Sequence, residues 1–95
     1  MIRKGLQFEW DPKKAGQNAR KHGVEFVEAR TVFFDPEHVM HYDDAHSNDE
    51  DRYKVIGASE FGRLLSVSVT DENGVVRIIS ARKATKSERN DYERR

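Results

Sequence analysis

The dipeptide Asn73-Gly74 restricts the possible folds of this chain more than any other feature of its sequence. Asn-Gly is the preferred pair for a type I′ turn, in which both residues have positive φ and two antiparallel strands leave the turn directly. The flanking runs, 64–69 and 75–81, are rich in β-branched residues. Such a turn also fixes the register of the two strands. The predicted pairs are Glu72 with Val75, Thr70 with Arg77, Val69 with Ile78, and Ser68 with Ile79.

The two faces of this predicted hairpin differ in polarity, because side chains alternate between the faces of a strand. The apolar face carries Leu65, Val67, Val69, Val76 and Ile78. The polar face carries Ser66, Ser68, Thr70 and Arg77. We expect the apolar face to be buried and the polar face to be an open surface that can meet a ligand.

Positive charge is concentrated where the second strand of the hairpin passes into a final helix. Thr85, followed three residues later by Glu88, is the capping-box signature and predicts a helix from residue 86 to about residue 94. Arg82, Lys83 and Lys86 lie at this junction, with no acidic residue before Glu88. As a cluster these residues suit phosphate contacts. Each one taken singly is more often a solvated surface charge.

The N-terminal part of the chain predicts a short strand followed by two helices. Residues 7–10 alternate as in an edge strand, and Asp11-Pro12 supply the N-cap and the first residue of a helix that ends at Gly23. An apolar stripe through residues 26–34 predicts the second helix, which Asp35-Pro36 ends. Glu25 is a poor N-cap for that helix.

His22 is the candidate acid or base of the first helix. It shares one helical stripe with Ala15, Asn18 and Ala19. The helix dipole favours a cationic imidazole near the C-terminal end, which would allow His22 to hold a phosphate or to transfer a proton. A hydrogen-bonded structural histidine at the helix end explains the residue equally well.

The middle of the chain is acidic and contains three histidines. Residues 35–51 contain no lysine or arginine, and their acidic residues are Asp35, Glu37, Asp43, Asp44, Asp49, Glu50 and Asp51. His38 and His41 would face opposite sides of a strand at 39–42, and no metal-ligand spacing includes His46, so we predict no metal site. Ser47 with Glu50 resembles a second capping box and predicts a short helical turn. For His46 a structural role is favoured, and a catalytic one stays open.

Composition limits the class of protein. The chain has 95 residues and is expected to form a single domain spanning residues 1–95. It has no cysteine, which excludes disulfides and thiolate metal sites and suits a reducing compartment. No apolar run approaches the length of a membrane span, and no signal peptide core is present, so we expect a cytoplasmic protein. The formal net charge is zero, yet the acidic middle and basic ends polarise the molecule.

These elements together predict an α+β fold. Two further strands, 52–58 and 64–69, are joined by a tight loop containing Gly62, and the Asn73-Gly74 hairpin continues the sheet. The fold would then have an N-terminal strand, two helices, an antiparallel sheet and a short C-terminal helix, with the helices on one side of the sheet.

Several blocks of this sequence, in the same order, resemble the BrnT family of ribonuclease toxins from type II toxin–antitoxin modules. The opening block is FEWDPKKAGQNARKHGVEF followed by VFFDP, the middle block contains HS and GRLL, and the last block is RIISARKATKSER followed by YE. The resemblance implies a RelE-like fold and an endoribonuclease that inhibits translation and growth. It also implies a BrnA-like ribbon-helix-helix antitoxin, which would hold the toxin in a hetero-oligomer. The toxin would then contact operator DNA only indirectly, through this antitoxin.

The expected chemistry is RNA cleavage by the 2′-hydroxyl without a metal ion or other cofactor. This reaction needs a proton acceptor, cations for the charge that develops on phosphorus, and a proton donor for the leaving oxygen. We predict Arg77 and Arg82 on the phosphate, Arg63 as a further clamp, and His22 as the acid or base. The predicted RNA-binding residues are Lys83, Lys86, Thr70 and Ser68.

One departure from the family pattern and one alternative function need a test. Family members often have arginine after the Thr-acidic pair, whereas Glu72 follows Thr70 and Asp71 here, which would attenuate activity if that arginine is catalytic.

The alternative function is that of a non-catalytic or attenuated module that binds an antitoxin or nucleic acid through its basic face. In either case we expect the C-terminal helix, with Arg89 and Tyr92, at or beside the antitoxin contact.

Overall fold

The structure is a computed structural model that describes residues 6–47 and 50–94. Its strands are β1 (Gln7–Glu9), β2 (Val39–Tyr42), β3 (Arg52–Ala58), β4 (Leu64–Glu72) and β5 (Val75–Lys83). Its α-helices are α1 (Pro12–His22), α2 (Phe26–Ala29) and α3 (Lys86–Glu93). Short 3-10 turns cover Arg30–Phe34 and Asp44–His46. In the described part of the chain, no helix is long and apolar enough to cross a membrane.

The strands form one mixed sheet in the order β1-β5-β4-β3-β2. The four strands from β2 to β5 are antiparallel, as predicted, but β1 runs parallel to β5. The prediction of an entirely antiparallel sheet is therefore wrong at this edge. The hydrophobic pattern predicted β1 correctly as a strand, but it carries no information about which distant strand becomes its partner.

The main core lies on one face of the sheet, which we call the inner face. There Val67 of β4 pairs with Val55 of β3 and with Ala81 of β5. Val24, α2 and the 3-10 turn after it cover this face with Phe26, Ala29, Val32 and Phe33. Helix α2 is shorter than predicted, because the helix tightens into 3-10 geometry from residue 30. As expected, Glu25 makes no side-chain capping bond.

Helix α3 packs on the opposite, outer face, so the prediction that all helices share one side is wrong. Its Glu88 contacts Lys54, Ser66 and Arg82, and these side chains alternate with the core residues of the same strands. The hydroxyl of Tyr92 donates a 2.7 Å hydrogen bond to Asp35, which anchors the C-terminal end of the helix. The predicted capping box is confirmed, since Thr85 and Glu88 exchange both hydrogen bonds.

Helix α1 closes the free edge of β5 through one buried side chain. The amide of Asn18 accepts a hydrogen bond from the N–H of Ala81 at 3.1 Å and donates to the carbonyl of Ala81 at 2.8 Å. It also donates to the carbonyl of Val24 at 2.9 Å. The Asn18 amide thus makes the two hydrogen bonds to Ala81 that a neighbouring strand would otherwise make. The predicted cap residues of α1 are confirmed at Asp11 and Gly23.

The hairpin turn is as predicted, but the register of the strands changes beyond it. Asn73 and Gly74 both have positive φ, at 54° and 84°. Thr70 pairs with Arg77 and Val69 with Ile78, whereas Ser68 pairs with Ser80 instead of Ile79. A β-bulge at this step makes Ile79 an extra residue of β5. Every β5 side chain beyond the bulge is thereby moved to the face opposite the one that regular alternation predicts.

The helical turn that the spacing of Ser47 and Glu50 predicted includes residues 48 and 49, which lie outside the described residues. Ser47 follows the 3-10 turn Asp44–His46. Its hydroxyl donates to the carbonyl of Asp43 and accepts from the N–H of Arg52, at 2.6 and 2.9 Å. The Ser47 hydroxyl therefore links the 3-10 turn to the start of β3.

Candidate functional site

A cleft of about 300 Å³ opens on the outer face of the sheet, and we call it the outer-face cleft. The residues that line it come from the turn before β3, from β3, and from the paired strands β4 and β5. They are Asp43, His46, Arg52, Lys54, Ser68, Ile79, Ser80 and Arg82. Three of them are cations and one is a histidine, which is a composition suited to an anionic ligand.

The β-bulge at Ile79 determines that Arg82 reaches this cleft. Arg77 and Arg82 are an odd number of residues apart, so they would lie on opposite faces of a regular strand. The extra residue places Arg82 opposite Ser66 and Ser80 opposite Ser68. Both arginines therefore belong to the outer face, and Ala81 turns into the core.

Glu88 of α3 holds two of the three cations. Its carboxylate accepts hydrogen bonds from both terminal nitrogens of Arg82, at 2.8 and 2.9 Å, and from Lys54 Nζ at 3.0 Å. Burial by itself raises the pKa of Glu88, but the hydrogen bonds from Arg82, from the N–H of Thr85 and from Lys54 outweigh burial and lower the pKa well below its ordinary value. Glu88 is therefore ionised at neutral pH, and it orients both cations at one end of the cleft.

Arg52 is the third cation, and it is less fully paired. Its Nε atom is buried and has no hydrogen-bond partner in the described part of the chain. A buried donor without a partner is costly, and because Nε is buried a ligand would reach it only after a shift of the Arg52 side chain. Arg52 also lines the cleft and therefore adds a third positive charge to it.

His46 and Asp43 form a hydrogen-bonded pair at the rim. His46 Nδ1 lies 3.1 and 3.0 Å from the two carboxylate oxygens of Asp43. An ionised carboxylate only accepts hydrogen bonds, so Nδ1 carries the proton in this contact and Nε2 of a neutral ring is left as an acceptor. The His46 side chain is 66 % exposed and can therefore meet a ligand.

The four predicted catalytic residues do not share one cleft. Arg82 lies in the outer-face cleft, while His22 lines a neighbouring cleft together with Lys14 and Lys21. The two clefts are adjacent, because Ile79 and Ser80 line both. His22 therefore lies beside the outer-face cleft but does not line it.

Arg63 is engaged in a structural ion pair. Its guanidinium donates through Nε and a terminal nitrogen to the buried carboxylate of Glu28, and also to the carbonyl of Gly23. The Arg63 hydrogen bond is the main cause that lowers the pKa of Glu28, and Ser59 adds a second bond. Arg63 borders a different cleft, near α3. Its contacts join the β3–β4 loop to α2, which is a bracing role.

Arg77 and Thr70 lie further along the outer face than the cleft residues. Arg77 is exposed and forms an ion pair with Glu9 of β1 at 3.1 Å. Thr70 is only 1 % exposed, so the open polar surface predicted for it, and likewise for buried Ser66, is wrong. Thr70 lies between Arg52 and Arg77 in the sheet, and the sequence could not show that these long side chains flank it. In contrast to Thr70 and Ser66, Ser68 is half-buried and lines the outer-face cleft. Glu72 is exposed at the end of the hairpin.

The remaining predicted residues lie around α3. Lys83 and Lys86 are both exposed at the junction between β5 and the helix. Lys83, Arg89 and Tyr92 line a cleft of about 470 Å³ with Arg63. The hydrogen bond of Tyr92 to Asp35 shows that this side chain at least anchors its own helix.

The sequence did not indicate Arg52 and Lys54, which line the outer-face cleft, and it favoured a structural role for His46, which lines the cleft as well. Arg52 and Lys54 are two residues apart on a strand that was correctly predicted, so the sequence already indicated that their side chains share one face. The spacing of Asp43 and His46 is that of neighbours on a helical turn, and it could have indicated their pairing. The position of all three beside Arg82 depends on strand order and could not be read from spacing.

The cleft has the groups needed for acid–base chemistry on a phosphodiester. His46 can accept or donate a proton, and Arg52, Lys54 and Arg82 can stabilise negative charge. Among residues 6–47 and 50–94 no three His, Cys, Asp or Glu side chains are grouped as a metal site.

Comparisons with known proteins identify the family of this chain. The family model described as the ribonuclease toxin BrnT of type II toxin–antitoxin systems matches residues 10–88. The fold is similar to the 1.1 Å crystal structure of the Brucella abortus ribonuclease toxin BrnT, with a TM-score of 0.65 and 20% sequence identity over 85% of this chain and 99% of that chain. No match was found among curated protein sequences. The match over most of its length shows that this chain belongs to the BrnT family of ribonuclease toxins.

Proposed function

We propose that this protein is a toxin that cleaves RNA without a metal ion in the outer-face cleft, and thereby inhibits translation and growth. The observation that carries the proposal is the convergence of three cations and the His46–Asp43 pair on one cleft. The family match supports ribonuclease activity at the level of the family. A RelE-like classification of the fold is part of the same proposal.

In the proposed reaction the 2′-hydroxyl of a ribose attacks the adjacent phosphorus. His46 Nε2 accepts the hydroxyl proton, because the contact with Asp43 keeps the opposite ring nitrogen protonated. As the new P–O bond forms, the 5′-oxygen leaves with the electrons of the broken P–O bond and takes a proton from solvent water, and His46 afterwards releases its proton to solvent. The products are a 2′,3′-cyclic phosphate and a free 5′-hydroxyl.

The cations stabilise the charge that develops on the phosphate. Arg52 contributes its positive charge from the wall of the cleft, and Arg82 and Lys54 act from the positions that Glu88 fixes. Ser68 and Ser80 supply hydroxyl groups along the floor of the cleft. Lys83 and Lys86 would contact the RNA backbone on either side of the cleaved bond, where exposed cations contribute mainly to binding.

His22 is proposed in a secondary position. It lies in the neighbouring cleft with two lysines, where it would contact RNA beyond the cleaved bond. Arg63 and Arg77 are assigned to bracing, because neither lines the outer-face cleft and each pairs with a carboxylate outside it. This distribution replaces the expectation that all four residues act together on one phosphate.

The proposed partner is an antitoxin, because toxins of type II modules pair with one. Arg89 and Tyr92 of α3 remain our candidates for this contact, and a BrnA-like ribbon-helix-helix protein remains the expected type. Both residues line the cleft near α3, which is concave and open to a partner. Through such an antitoxin the complex would contact operator DNA indirectly.

The test compares cleavage of total RNA in EDTA by the wild-type protein and by Arg52→Ala. Arg52 is half-buried beside Thr70, so thermal unfolding of the variant is measured as well and cleavage is compared where both proteins are folded. We expect the wild-type protein to cut RNA in EDTA and the variant to be slower by roughly 100-fold. Intact RNA with the wild-type protein would instead favour a non-catalytic interaction module.

A further inference from the structure

The edge strand β2 exposes both backbone and apolar groups. In the described part of the chain β2 pairs with β3 alone and ends the sheet. Met40 and Tyr42 are 46% and 50% exposed, although both belong to the face that carries the core. Their cross-strand neighbours are Val55 and Tyr53. The inner apolar face therefore continues to the edge of the sheet, where none of residues 6–47 and 50–94 covers Met40 and Tyr42 fully.

The hydrogen-bond pattern shows which backbone groups of β2 point outward. The N–H of Asp43 donates to the carbonyl of Arg52 at 2.8 Å, so this pair is a hydrogen-bonded pair of the antiparallel ladder. Because such pairs alternate, His41 and Val39 also direct their backbone groups to β3. Met40 and Tyr42 direct their N–H and C=O groups away from the sheet. Within β2, the two residues with exposed apolar side chains are thus also the two whose ladder positions no described strand occupies.

Charge decides which kind of strand can occupy this edge. The segment that contains β2 has no lysine or arginine between residues 35 and 51. Asp44 is exposed just beyond the strand, and Asp51 accepts a hydrogen bond from the hydroxyl of Tyr42. Asp91 of α3 lies 4.0 Å from His41 on the outer face. A second copy of the chain would bring two acidic segments together, which is unfavourable for paired strands.

We propose that β2 is a docking edge for a partner polypeptide that adds an extended strand of alternating apolar and basic residues. Its backbone pairs with Met40 and Tyr42, its apolar side chains extend the core face over them, and its basic side chains meet the acidic segment. The acidic residues also prevent the edge from pairing with itself, which protects the free toxin from aggregation. This interaction is separate from RNA cleavage and does not depend on the proposed function.

The test measures binding of short synthetic peptides to the full chain. In one peptide lysine and valine alternate, in a second glutamate replaces lysine, and in a third the lysines and valines form two blocks. We expect the alternating lysine peptide to bind best and to slow hydrogen exchange at the Met40 and Tyr42 amides. Equal binding of the block or glutamate peptide, or protection confined to other amides, would overturn the proposal.

Two variants separate the edge from general charge attraction. Met40→Pro removes an outward N–H and no bond to β3, so the sheet should survive and affinity should fall roughly tenfold, whereas Met40→Ala should lose less. Asp44→Lys changes only an exposed charge and should weaken the lysine peptide while improving the glutamate peptide. Unchanged affinity in both Met40→Pro and Asp44→Lys contradicts the proposal. Self-association of the wild-type protein through the same amides contradicts it as well.

Discussion

Arg82 and Glu88 are joined by two parallel hydrogen bonds, at 2.8 and 2.9 Å, that connect β5 to α3 across the start of the terminal helix. Glu88 is 5% exposed, whereas the Arg82 side chain is 40% exposed. The buried carboxylate of Glu88 therefore holds Arg82 in position, while part of the Arg82 side chain stays accessible to a ligand in the cleft. The terminal helix is in this way a structural part of the candidate site.

Replacing Glu88 by glutamine should reduce both stability and catalysis. The amide keeps the size of the side chain but loses its charge, so we expect the free energy of unfolding to fall by about 2 kcal/mol. Binding of a non-cleavable 2′-O-methyl RNA should be unchanged or tighter, because a negative charge leaves the cleft, while kcat falls because Arg82 and Lys54 are less fixed. Denaturant titration, RNA affinity and cleavage rate measure the three effects. Equal losses in kcat and affinity would assign Glu88 to folding alone.

Stability should fall at acidic pH. Glu28, Asp35 and Glu88 all have a pKa lowered in the folded protein, so folding favours their ionised forms. The unfolded chain binds more protons, and stability therefore decreases as the pH falls below their ordinary values of 3.8–4.5 towards the lower folded pKa values. Urea unfolding across this range measures the effect. Glu88→Gln should show a weaker pH dependence, and an identical slope in wild type and variant would refute the role given to Glu88.

Arg63→Ala should lower stability more than it lowers catalysis. The variant leaves the carboxylate of Glu28 buried without its guanidinium, which we expect to cost about 3 kcal/mol. Adding Glu28→Gln should recover part of this loss, because the uncompensated charge is removed. RNA cleavage is then compared below the melting temperature of the variant. A large loss of kcat with little change in stability would restore Arg63 as a catalytic clamp.

Asn18→Ala should destabilise the protein, since three buried hydrogen bonds of the Asn18 amide are lost. We expect a decrease of about 2 kcal/mol in the free energy of unfolding. Gln17→Ala is the matched control, because Gln17 is the exposed neighbour on the same helix. The two variants are compared by denaturant titration. Equal effects would show that the contact to Ala81 contributes little.

Local features of the fold were predictable because short-range chemistry determines them. The turn at Asn73-Gly74, the caps at Asp11 and Gly23, and the capping box of Thr85 each depend on residues within a few positions of one another. The parallel pairing of β1 depends instead on a partner far away in sequence. The Arg63–Glu28 pair likewise depends on residues that are far apart in the sequence, because it joins two elements that were predicted separately.

The bulge at Ile79 explains why the site was predictable only in part. Arg82 and Ser68 were both predicted as site residues and both line the outer-face cleft, but regular alternation puts Arg82 in the core and Ile79 outside. Nothing in the run Ile78-Ile79-Ser80 shows which residue is extra. The face of every later β5 residue depends on that choice, and so does the meeting of Arg82 with Arg52 and Lys54 from β3.

The most direct test of the proposed cleft compares single-turnover RNA cleavage by His46→Ala and His22→Ala in EDTA. The two variants remove the same side chain from adjacent clefts, and exposed His46 can be removed with little effect on folding. We expect His46→Ala to slow cleavage by roughly 100-fold or more, which is the usual contribution of general acid–base catalysis. His22→Ala should retain most of the wild-type rate constant. A full rate in His46→Ala, with the loss in His22→Ala instead, would contradict the assignment of the site to the outer-face cleft.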